Sequence, residues 1–195
     1  YKMTKLYLIT GLGEKNTDQN YKDFITSLEG KYVVIPVDLG LDNSPYTFGE
    51  NGSFGEMLAK ARAQIVDNTP DDVIMGFSIG ALITYQLATE IKFSKAIICS
   101  ICSILDGDLD FYPAEEVKKI FTDKQIRDLL SSQYGRPLGL TTLLYGANET
   151  KEVIARSKKL AKQFEVLLVE ISGAGHNFSG QYLQSVKNLL IQAST

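Results

Sequence analysis

Val73-Ile74-Met75-Gly76-Phe77-Ser78-Ile79-Gly80-Ala81 joins an unbroken apolar run to a stretch of helical spacing, and its reading decides the fold. Val73–Phe77 is apolar along its whole length, as a strand is when helices cover both faces of a parallel sheet. Ile79–Thr89 reads as the helix that follows. Gly76-Phe77-Ser78-Ile79-Gly80 is then a Gly-x-Ser-x-Gly at a sharp strand-to-helix turn. Such a turn lifts the Ser78 hydroxyl clear of the sheet, and its strained backbone leaves no room for side chains two residues to either side. Glycines at 76 and 80 meet that need. The turn also sets the amide of Ile79 at a helix N-terminus, where an unpaired donor and the helix dipole stabilise a developing oxyanion. The competing reading, a glycine-rich βα turn that happens to hold a serine, fits the strand before and the helix after less well.

Outward from this turn, apolar runs of five to seven residues alternate with helical spacing. Strands are predicted at Lys5–Thr10, Tyr32–Val37, Val73–Phe77, Lys95–Ser100, Thr141–Tyr145 and Glu165–Ile171. Helical faces are marked by Tyr21, Phe24, Ile25 and Leu28; by Phe54, Met57, Leu58, Ala61 and Ile65; and by Val153, Ser157, Leu160, Ala161 and Phe164. A last face carries Tyr182, Leu183, Val186, Leu189 and Leu190. The expectation is a doubly wound α/β domain with a mostly parallel sheet of about six strands and helices on both faces.

The chain has 195 residues, 44% hydrophobic and 22% charged, with a formal charge of −3. That length fits one domain of roughly 100–200 residues, expected here over residues 3–195, with Met3 as the natural start and Tyr1-Lys2 an addition before it. Residues 101–136, longer than an ordinary crossover, read as a short cap or elongated connecting segment, with Thr122 and Gln125 as a capping box. Mild acidity argues against a nucleic-acid partner. The apolar stretch Ala96–Leu105, broken by Ser100 and Ser103, is too short for a membrane span.

At the serine turn the sequence resembles the α/β-hydrolase family, and the resemblance extends from Leu6 to the last helix. It implies a triad in the order nucleophile, acid, histidine. The sole histidine, His176, lies in Ser172-Gly173-Ala174-Gly175-His176-Asn177-Phe178, after the final strand, where the family carries its base. Glu149, three residues past Gly146, stands where the family places its acid, more often Asp; Asp106, after the preceding strand, is the alternative. Thr10-Gly11-Leu12-Gly13 matches the loop that supplies the second oxyanion donor, Leu12 or else Gly13. Thr10 replaces the family's usual His, so other hydrogen bonds must fix the loop. Asp38-Leu39-Gly40 resembles a loop of structural role.

Cys99 and Cys102 form a Cys-x-x-Cys that ends a strand instead of opening a helix, which favours core packing over redox chemistry. Two Cys and one His do not make a usual four-ligand zinc site, and Gly11-Leu12-Gly13 lacks the third glycine of a dinucleotide loop. No cofactor or metal is implied, and with no disulfide framework the expected compartment is the cytoplasm. The residues together specify acyl transfer on a small-molecule ester or thioester: Ser78 as nucleophile, His176 as base, Glu149 as its partner, Leu12 and Ile79 as oxyanion donors. Phe111, Tyr112 and Phe121 are candidates for the pocket wall. The rival reading is a binding protein of the same fold that uses the pocket without catalysis.

Overall fold

The protein is described here by a computed structural model over residues 3–39, 54–102 and 134–192. The predicted apolar runs become β1 (Thr4–Ile9), β2 (Tyr32–Pro36), β3 (Val73–Phe77), β4 (Lys95–Cys99), β5 (Leu140–Gly146) and β6 (Leu167–Ile171). They form one sheet in the order β2-β1-β3-β4-β5-β6, with every neighbouring pair parallel. Between and after them run α1 (Gln19–Ser27), α2 (Phe54–Gln64), α3 (Ile79–Glu90), α4 (Lys151–Phe164) and α5 (Gly180–Gln192).

The period-two alternation along the strands divides the core into two layers. Leu6, Leu8 and Met75 point to one face, where they pack with Tyr21 and Phe24 of α1 and Val186 of α5. Tyr7, Ile9 and Ile74 point to the other, against Met57 of α2, Leu82 of α3 and Leu160 of α4. Helices therefore cover both faces, and the doubly wound α/β architecture is as expected. The helix after the serine turn, α3, is buried from Ile79 through Ala88, which explains why its sequence shows no polar stripe.

One strand begins later than its sequence suggests. Glu165 caps α4 in the left-handed region, φ 53°, and the amide of Val166 bonds back to Ala161 O at 3.1 Å. These two residues close the helix, so β6 starts at Leu167. Most of the 101–136 segment lies outside the described residues, and with it Asp106, the Thr122–Gln125 box, Phe111, Tyr112 and Phe121; so does the loop from Gly40 onward. Among the described residues no helix is long and apolar enough to cross a membrane.

From β1 the chain passes outward to β2 and then returns to β3 on the other side, so strand order reverses between β1 and β3. Open α/β sheets bind ligands beyond the carboxyl ends of the strands at such a switch point. The serine turn leaves β3 there.

Candidate active site

Ser78 adopts φ 55° and ψ −117°, a combination closed to most L-residues and held here from several sides. Its amide bonds to Cys99 O at 2.9 Å, prolonging the β3–β4 ladder by one step. Its carbonyl accepts from Ala81, Leu82 and Cys102 at 3.1–3.2 Å. A Cβ on Gly76 would stand 2.2 Å from Gly80 O, and one on Gly80 would stand 2.4 Å from Ile9 O and 2.5 Å from Thr10 O. Side chains are excluded at both positions by backbone, the reason the sequence pattern predicted.

The turn brings Ser78 to His176 and Glu149. His176 Nε2 lies 3.0 Å from Ser78 Oγ, and Nδ1 lies 2.8 Å from Glu149 Oε2. The side chain of Glu149 is fully buried while that of His176 is 42% exposed, so the carboxylate is held beneath the ring and the imidazole edge faces outward. An ionised carboxylate only accepts, so Nδ1 carries the proton and Nε2 is left to accept from the serine hydroxyl. A serine so paired can pass its proton to the ring as its oxygen attacks an electrophile.

Two loops carry His176 and Glu149, and they are fastened together. Ala147 donates to Ile171 O at 2.9 Å and Asn148 to Ala174 O at 2.8 Å; a Cβ on Gly146 would meet Ala174 O at 2.3 Å. Asn20 of α1 adds a bond from its side-chain amide to Phe178 O at 2.8 Å. Phe77, the residue before Ser78, sets its ring 5.1 Å from the imidazole centroid. Thr150, next to Glu149, caps α4 by accepting from Val153 N, so Glu149 sits immediately before a fixed helix start.

At the mouth of β1, Thr10-Gly11-Leu12-Gly13 is tied by Glu14, a role the sequence analysis did not assign. Glu14 Oε2 accepts from Gly11 N at 2.9 Å and from the hydroxyl of buried Tyr21 at 2.6 Å. Thr10 Oγ1 donates to Glu14 O at 3.2 Å. These bonds hold the loop with Thr at position 10. The contact of Gly80 with Thr10 O sets this loop against the start of α3, and there the amide of Ile79 has no intrahelical acceptor.

Ser100 and Tyr182, which read from sequence as a strand end and an apolar helix face, meet the site. Ser100 is fully buried; its hydroxyl contacts Glu149 Oε1 and lies 2.8 Å from the Tyr182 hydroxyl. A serine closing a strand is too common to stand out, and Tyr182 fits its helix periodicity equally well as a packing residue.

Cys99 is buried and Cys102 half-buried, both as free thiols. Burial pushes both thiols up, away from the thiolate form that redox chemistry uses. Among the described residues no three His, Cys, Asp or Glu side chains gather as a metal site.

No protein-family model and no curated sequence matches the chain; solved structures do. Est1E from Butyrivibrio proteoclasticus superposes with a TM-score of 0.70 at 16% identity, covering 98% of this chain and 87% of that one. Alpha/beta hydrolase domain-containing protein 10 from mouse gives 0.72 at 15%, covering 98% and 90%. Naproxen esterase from Bacillus subtilis gives 0.65 at 18%, covering 99% and 84%. The parallel six-stranded sheet, its switch point and these neighbours agree that the chain has the α/β-hydrolase fold.

Proposed function

We propose that this protein is a serine hydrolase that cleaves a carboxylic ester or thioester of a small to medium acyl substrate through an acyl-enzyme intermediate. The observation that carries the reading is the unbroken run Ser78 Oγ–His176–Glu149, at 3.0 and 2.8 Å. In this mechanism Ser78 Oγ attacks the carbonyl carbon as its proton moves to His176 Nε2, while Glu149 steadies the imidazolium from Nδ1. The carbonyl oxygen takes up the electron pair and is held by the amides of Ile79 and Leu12. Collapse of the tetrahedral intermediate expels the alcohol or thiol, which leaves with the proton from His176. Water then attacks the acyl-serine with the same base, releasing the carboxylic acid and restoring the hydroxyl.

A small-molecule ester suits the neighbours, one named a naproxen esterase and another holding ferulic acid. The two free thiols suit a reducing cytoplasmic setting. The test is intact-mass analysis after treatment with a fluorophosphonate, which captures an activated serine. A single adduct mapping to Ser78 is expected on the wild type, with none on Ser78→Ala or His176→Ala. A folded wild type that takes no adduct overturns the proposal in favour of a binding protein.

A further inference from the structure

Ser100 is a residue of unusual cost in an ordinary place. It follows β4, and its backbone has φ 49°, in the left-handed region that side chains other than Gly, Asn and Asp seldom enter. It is pinned there by its amide, which donates to Leu144 O at 2.8 Å, and it is fully buried. What this conformation achieves is the direction of its hydroxyl, which meets Oε1 of Glu149, the carboxylate oxygen that does not face His176.

Proton accounting orders the contacts. Each hydroxyl has one hydrogen. The carboxylate can only accept, so the Ser100 hydrogen goes to Glu149. The Tyr182 hydroxyl lies 2.8 Å from Ser100 Oγ and has one hydrogen of its own to give. Tyr182 is also 3.1 Å from Leu144 O, a carbonyl already served by the Ser100 amide. Wherever the Tyr182 hydrogen points, the Ser100 hydrogen goes to Glu149, which takes a second bond on its other oxygen from His176 Nδ1.

We infer that Ser100 is a positioning residue for the acid: its hydroxyl fixes one carboxylate oxygen of Glu149 so that the other meets the imidazole. The inference rests on the proposed role of Ser78, His176 and Glu149. With both oxygens bonded from fixed directions the carboxylate cannot rotate away from Nδ1. Without the Ser100 hydrogen, Oε1 is a buried acceptor lacking that donor, and turning toward other donors misdirects Oε2.

Ser100→Gly is the informative variant, because glycine accepts φ 49° without strain and so loses the hydroxyl without a backbone penalty. Ser100→Ala loses the same hydroxyl and keeps the strain. Hydrolysis of a p-nitrophenyl ester is measured for both, for Glu149→Ala, and for Ser100→Gly combined with Glu149→Ala. The expected result is a fall of about 10-fold or more in kcat for both single Ser100 variants, with KM little changed. Their thermal midpoints differ in favour of glycine, and adding Ser100→Gly to Glu149→Ala costs nothing further. Wild-type kcat in Ser100→Gly overturns the inference while a loss in Glu149→Ala leaves the triad standing. A full additional loss in the double variant overturns it too, by placing the action of Ser100 elsewhere. Wild-type activity in Glu149→Ala removes the acid itself, and the inference with it.

Discussion

Gly80 is where the serine turn and the loop after β1 touch. An added Cβ would lie 2.4 Å from Ile9 O and 2.5 Å from Thr10 O, backbone atoms that cannot swing aside as a side chain would. Gly80→Ala must push β1 and its loop away from α3, and overpacking of this kind costs about 1–3 kcal/mol. The expected outcome is a lower urea midpoint together with a fall in kcat, since the same shift moves Thr10-Gly11-Leu12 relative to Ile79. Gly135→Ala is the matched control: its added Cβ would meet only Thr89 at 3.7 Å, an ordinary contact. Equal effects of the two substitutions would show that the close approach at Gly80 is not what the turn depends on. Ser78 itself, at φ 55°, stores strain of the order of 1–3 kcal/mol that the surrounding bonds sustain.

At the scale of elements, the short loop after β1 is positioned by one carboxylate. Glu14 joins the Gly11 amide to the buried Tyr21 hydroxyl of α1, so loop and helix move as one piece. Glu14→Ala leaves Tyr21 with an unmade buried bond, at about 1–3 kcal/mol, and frees the loop that carries Leu12. A drop of about 10-fold or more in kcat is expected, because under the proposed mechanism Leu12 is an oxyanion donor and its displacement is felt at the transition state. Glu14→Gln keeps an acceptor for both partners and should retain most activity. Steady-state kinetics of the pair decides the matter, and an unaltered kcat in Glu14→Ala detaches the loop from the chemistry. The contrast with what could be read from sequence is instructive here. The strands and helices and the Ser78 turn are legible because periodicity and the Gly-x-Ser-x-Gly spacing are local signals, whereas His176 is picked out by the residue order that the family resemblance implies. Glu14 and Ser100 are not, because each acts through partners, Tyr21 and Glu149, that only the folded sheet brings near. Glu165 misled for the reverse reason: its place in an alternating run looks like strand, whereas a local helix cap claims it.

For the whole molecule, the two-layered core stakes stability on aromatic hydroxyls being buried. Tyr21, Tyr85 and Tyr182 are fully buried. Burial first, then the Glu14 carboxylate beside Tyr21, raises its phenol far above the ordinary value; burial does the same for Tyr85 and Tyr182. In the unfolded chain a phenol releases its proton near pH 10. Above that pH the unfolded state binds fewer protons than the native state, so stability falls as pH rises; below it the contribution is fully present. The urea midpoint is therefore expected to decline between about pH 9 and about pH 11, with tyrosinate absorbance from these residues emerging only on unfolding. Tyr21→Phe separates this effect from lysine deprotonation. Phenylalanine cannot ionise, so the variant has a shallower alkaline slope than the wild type, whatever its stability at neutral pH. Identical slopes in the two proteins would mean that Tyr21 titrates equally in both states, and its seat between α1 and the loop after β1 would then be open to solvent.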